Sequence, residues 1–127
     1  MKRLSPGISI ILFAAMAGPL LADEGNAERG AELFPIRCID CHAIGDTTEK
    51  KIGPNLKGLI GRISGTLEGY EYSDAMKAAG ILWSEETLKA YLVAPRKIVP
   101  RTKMNFNGLK QPGEVEDIVA YLLEATK

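Results

Sequence analysis

Two cysteines and one histidine are the whole supply of thiol and imidazole in 127 residues, and they stand together as Cys38-Ile39-Asp40-Cys41-His42. Whatever the chain does with these side chains, it does in one place. A structural zinc ion needs four tetrahedral ligands, and there is no second cysteine pair or second histidine to complete the set. A dithiol redox pair of the thioredoxin kind sits at a strand-to-helix junction in a βαβ unit, whereas alternating apolar runs of strand length are scarce around this motif. The remaining use of C-x-x-C-H is to bind a haem covalently through both thiols while the adjacent imidazole reaches its iron. One such motif sets one haem as the ceiling.

Residues 1–22 open with Lys2 and Arg3, run through an apolar block from Ile8 to Leu21, and reach Ala22 just before Asp23-Glu24. This is the layout of a secretory signal peptide. The block is short for a bilayer, which asks for about 20 apolar residues, so a cleaved leader is preferred to a permanent span. Leu20 stands where the cleavage signal usually has a small residue, which keeps an uncleaved anchor as the alternative. Free thiols that meet haem outside the cytoplasm suit export, and the expected address is a bacterial periplasm. The expected organisation is a leader, 1–22, followed by one domain, 23–127. Without the leader 14 basic and 16 acidic residues remain, a net charge of −2 that argues for neither nucleic acid nor anionic lipid as a partner. A chain of about 105 residues makes one domain with a shallow core, to which a buried haem would add apolar mass.

The domain reads as helices joined by long loops. Asn26 is an N-cap candidate, with Ala27, Gly30, Ala31 and Phe34 on one face of the helix that follows. Pro35 lacks an amide donor and is expected to bend or end that helix just before Cys38. A short helical turn is expected from Ser73 to Ala79, ending at Gly80. Ser84, followed by Glu85 and Glu86, opens a helix through Leu88, Tyr91 and Leu92 that stops at Ala94-Pro95. After Pro112-Gly113, the residues Val115, Ile118, Val119 and Leu122 form a core-facing stripe, and Gly30 would let the first helix cross this last one closely. Segments 43–70 and 95–111 are rich in Gly, Pro and charge and read as loops, which wrapping a cofactor could order.

With His42 as one iron ligand, the second can be water, an exogenous molecule, an amine or a methionine, and outside the leader the methionines are Met76 and Met104. Met104 lies in an otherwise polar, irregular stretch after Pro100. Beyond the haem motif, Gly53-Pro54-Asn55-Leu56, Gly61-Arg62, Tyr70-x-Tyr72-Ser73, Trp83-Ser84-Glu85-Glu86-Thr87-Leu88, Tyr91-Leu92 and Val99-Pro100-Arg101-Thr102-Lys103-Met104-x-Phe106 occur in order. In these motifs the chain resembles the class I c-type cytochromes of the mitochondrial cytochrome c and bacterial cytochrome c2 or c550 type, over residues 26 to 125. The resemblance implies a small all-α cytochrome c fold, three to five helices and long loops around one covalently attached haem c. It implies thioether bonds from Cys38 and Cys41, with His42 and Met104 as the iron ligands. The Pro54 carbonyl would accept a hydrogen bond from the His42 ring. Tyr72 and Trp83 would hold a haem propionate, with Arg62 offsetting its charge. Tyr91 and Thr102 would shape the Met104 side, and Phe106 would cover the haem edge. Two residues depart from the pattern: Met76, where the family often has asparagine, and Pro35.

An iron held by both His and Met has no vacant position, which points to one-electron transfer rather than enzymatic turnover. The implied role is a soluble, monomeric carrier. The implied partners are a cytochrome bc1 complex, a terminal oxidase, a photosynthetic reaction centre or a dehydrogenase. A haem enzyme or gas sensor with a labile sixth ligand is the alternative. Arg96, Lys97, Arg101, Lys103 and Lys110 lie between Pro95 and Gly113 with no acid among them, while acids gather at 23–32 and 114–124. Such asymmetry would steer the molecule towards acidic partner surfaces.

Overall fold

Asn26 starts the first helix by accepting the Arg29 amide on its side chain, and α1 runs from Ala27 to Arg37. In the computed structural model, which describes Gly18 and residues 24–127, four further helices follow. They are α2 (Asp74–Ala79), α3 (Glu85–Val93), α4 (Pro95–Ile98) and α5 (Glu114–Ala125). The leader expected at 1–22 lies outside the described residues, apart from Gly18. No strand forms among the described residues, and a single antiparallel bridge joins Ile63 to Leu82. The expected all-α fold is the observed one.

Local chemistry sets most helix ends. Ser73 caps α2 through its hydroxyl, and Gly80 closes it in the left-handed region. Ser84 and Thr87 cap α3 reciprocally, the Ser84 amide reaching Thr87 Oγ1 at 2.8 Å. Pro35 stands inside α1, and the helix ends at Arg37, directly before Cys38 as expected. The proline removes one amide donor near the helix end, and the amides of Cys38 and Ile39 both close onto the Phe34 carbonyl. One expectation needs correction: segment 95–111 is not wholly loop, because Pro95 occupies the first position of α4, where its fixed φ and missing donor suit a helix start.

The core is organised by α1 crossing α5, with α3 packed on α5 and α4 on α3. Ile118 and Val119 of α5 are fully buried, and Leu122 and Phe34 nearly so. Gly30 makes the crossing possible, since a β-carbon there would lie 2.0 Å from the Asp117 carbonyl oxygen. Phe34 and Tyr121 fill the flank, ring centroids 5.5 Å apart. Asp117 then locks the helices. The residue is 5 % exposed, and its carboxylate accepts the Asn26 amide at 2.7 Å and Arg29 Nε at 2.8 Å. The long loop between α1 and α2 is tied down by backbone hydrogen bonds, among them Leu56 to Ala43, Gly61 to Trp83 and Gly58 to Thr126.

Candidate functional site

The end of α1 delivers Cys38, and a turn closed by the His42 amide on the Cys38 carbonyl brings Cys41 and His42 onto the same wall. That wall borders a cavity of about 340 Å³, within the size range of cofactor sites. Cys38, Cys41, His42, Arg62, Tyr72, Trp83, Tyr91, Thr102 and Met104 all line it. Every site residue expected from the sequence is therefore brought to one space. Leu56, Leu88 and Ile118 add apolar wall, and Met76 is there too, 9 % exposed.

The His42 ring is fixed by its Nδ1, which donates to the Pro54 carbonyl at 2.8 Å and leaves the Nε2 lone pair free. Gly53 makes room for it, because a β-carbon there would meet His42 Cε1 at 2.5 Å. Burial lowers the His42 pKa, against the opposing pull of the Pro54 bond, and keeps the imidazole in its neutral, ligating form. The two cysteines form no disulfide. Before haem attachment, burial and the neighbouring Cys41 push the Cys38 pKa up to about 11, although Arg37 opposes the rise.

Across the sequence from these, Tyr91 sits buried in α3 with its hydroxyl 3.1 Å from Thr102 Oγ1 and 3.8 Å from Met104 Sδ. Burial raises the Tyr91 pKa, so the phenol keeps the proton it donates. Trp83 packs on Tyr91 with centroids 5.1 Å apart. Arg62 reaches the backbone carbonyls of Lys57 and Asn55, and Tyr72 carries a pKa raised by burial and held back by Arg62. Phe106 lines the cavity beside Met104, whose carbonyl accepts its amide at 3.0 Å.

Two devices escaped the sequence reading. One is the Asn26–Arg29–Asp117 lock, which joins residues about 90 positions apart. The other is a strap at the cavity mouth, where Lys103 donates to the Glu71 carbonyl and lies 4.7 Å above the Tyr70 ring. The Tyr70 hydroxyl in turn donates to the Ile52 carbonyl at 2.7 Å. The clustered aromatics at 70 and 72 were the available signal for the strap, and nothing local signalled the lock.

Among the described residues no group of three or more His, Cys, Asp or Glu side chains comes together to hold a bare metal ion. The donor set instead suits a macrocycle: paired thiols, one oriented imidazole and one oriented thioether around an apolar space. The sequence model of the cytochrome c family matches residues 27–126. The chain belongs to the cytochrome c family. It is 49 % identical over 104 residues to cytochrome c of Stellaria longipes, covering 82 % of this chain and 96 % of that one. To cytochrome c of Arabidopsis thaliana it is 47 % identical over 104 residues, 82 % and 93 % covered. To that of Cochliobolus lunatus it is 46 % identical over 105 residues, 83 % and 97 % covered.

Membership makes this chain an electron-carrying haem protein with one covalently attached haem c, and not an enzyme. The cavity and its donors fit that group. The expected address in a bacterial periplasm is overturned, because these relatives are cytochromes c of plants and fungi and not of bacteria. That expectation rested on residues 1–22, which lie outside the family match.

Proposed function

We propose that Cys38 and Cys41 form the thioether links, that His42 and Met104 would ligate the iron, and that the chain passes single electrons from a bc1-type complex to a terminal oxidase. A photosynthetic reaction centre or a dehydrogenase fits the same chemistry. The observation that carries the reading is that a ring locked by Pro54 and a thioether held by Tyr91 border the same cavity as the two thiols. The bound haem supplies an iron that alternates between Fe(III) and Fe(II). The protein's part is to keep its surroundings the same in both states. Pro54 fixes His42, Tyr91 and Thr102 fix Met104, and the apolar wall excludes water and disfavours the extra charge of the oxidised form, which raises the potential. Arg62, Tyr72 and Trp83, which line the cavity, would hold a propionate, and Phe106 would cover the haem edge. Residues 23–127 form the haem domain and 1–22 a separate leader. Intact mass of the purified holoprotein checks both the leader and the haem count.

Replacing Met104 by Ala is expected to abolish the weak red-edge band that reports iron–sulfur bonding in the oxidised protein, and to lower the potential. Met76→Ala is expected to keep the band. The reverse pattern would assign the ligand to Met76 and overturn the reading.

A further inference from the structure

Arg101 is the one residue other than glycine with positive φ, +65°, among the described residues. It sits in the turn that leads into Met104. The Thr102 amide closes that turn onto the Val99 carbonyl at 3.0 Å, with Pro100 at the second position and Arg101 at the third. A proline followed by positive φ is the type II turn, whose third position favours Gly or Asn because a β-carbon there is crowded by the backbone. The Arg101 side chain gains nothing that offsets this crowding. It is exposed, borders a recess beside Ser73 and Asp74, and no hydrogen bond or ion pair to another described residue holds its guanidinium.

The two ends of the turn are not equivalent. Val99 is 2 % exposed and anchors one end in the core. The other end is Thr102, which meets Tyr91 at 3.1 Å and accepts the Met104 amide at 3.4 Å. The crowding at residue 101 can therefore relax only if the Thr102–Met104 end lets go of Tyr91. Strain in the turn is set directly against the contacts that hold the thioether.

We infer that Arg101 is a positioning residue whose left-handed backbone pre-strains the Met104 loop and makes its thioether easier to displace than a Pro-Gly turn would. The inference rests on the proposed ligation by Met104. It predicts that the closed loop is favoured about threefold more strongly in Arg101→Gly, the relief of crowding outweighing glycine's greater freedom when open. A competing ligand then binds more weakly by the same factor.

Imidazole binding to the oxidised holoprotein, followed optically, reads this directly, as the added nitrogen takes the position the sulfur leaves without any change of oxidation state. Arg101→Gly should weaken imidazole binding about threefold, whereas Arg101→Ala, which keeps the β-carbon, should stay at the wild-type affinity. Unchanged or tighter binding in the Gly variant overturns the inference. So does an Ala variant that follows Gly, since the side chain and not the backbone would then be responsible. The wild-type starting spectrum separates the two levels: absence of the iron–sulfur band overturns the ligation and the inference together. A band that is present with equal affinities overturns the inference alone.

Discussion

Gly30→Ala tests the helix crossing on which the haem cavity is built. The added β-carbon would lie 2.0 Å from the Asp117 carbonyl oxygen and 2.6 Å from Tyr121 Cβ. Neither atom can rotate away, so α1 and α5 must separate by roughly 1.4 Å before the contact becomes ordinary. Overpacking of this kind costs about 1–3 kcal/mol. The same movement stretches the bond from the Asn26 amide to Asp117, now 2.7 Å, and its loss costs about 1 kcal/mol more. Alanine's better helix propensity returns about 1 kcal/mol. The net is a destabilisation of about 2 kcal/mol, which in a domain of this size lowers Tm by about 8–16 °C. Thermal unfolding of wild-type and variant holoprotein, followed by far-UV circular dichroism, gives the shift. A variant that melts within about 2 °C of wild type, or above it, would refute the argument that these helices touch backbone to backbone.

The remaining predictions concern charge and the haem ligands. Asp117 has its pKa lowered by the Arg29 hydrogen bond, so it stabilises the fold fully above the unfolded carboxylate value of about 3.9 and loses that contribution as pH falls through its folded value. Acid titration of stability should therefore be flatter in Asp117→Asn than in wild type, and parallel curves would contradict the lock. Gly53→Ala drives a β-carbon into the His42 ring and should lower the fraction of purified protein that carries haem, measured by intact mass; full loading with an unchanged potential would speak against the role given to Gly53. Arg96, Lys97, Arg101, Lys103 and Lys110 are all exposed. Raising ionic strength from about 10 mM to about 200 mM should slow electron delivery to an acidic oxidase by about tenfold, and a flat salt profile would remove electrostatic steering.

What the sequence made legible was local. Asn26, Ser73, Gly80 and Ser84 mark helix ends through bonds spanning a few residues, and the C-x-x-C-H spacing carries its chemistry wherever the chain folds. Pro35 was legible in the same way, since the helix that contains it ends at Arg37, directly before Cys38. The four residues of α4 are too few for a periodic signal. The Asp117 lock spans 91 residues from Asn26 and leaves no mark in either neighbourhood. Asp117 read simply as one of the acids gathered at 114–124, whereas burial and Arg29 give it a different task. Arg101 looked like one more surface cation, and only its backbone angle distinguishes it.

X-ray absorption at the iron edge of the oxidised holoprotein probes the ligand set without any redox partner. The account predicts one sulfur and five nitrogens around iron, with the sulfur lost in Met104→Ala and retained in Met76→Ala. An iron with no sulfur neighbour in the wild-type protein, or one whose sulfur survives the Met104 substitution, would contradict it.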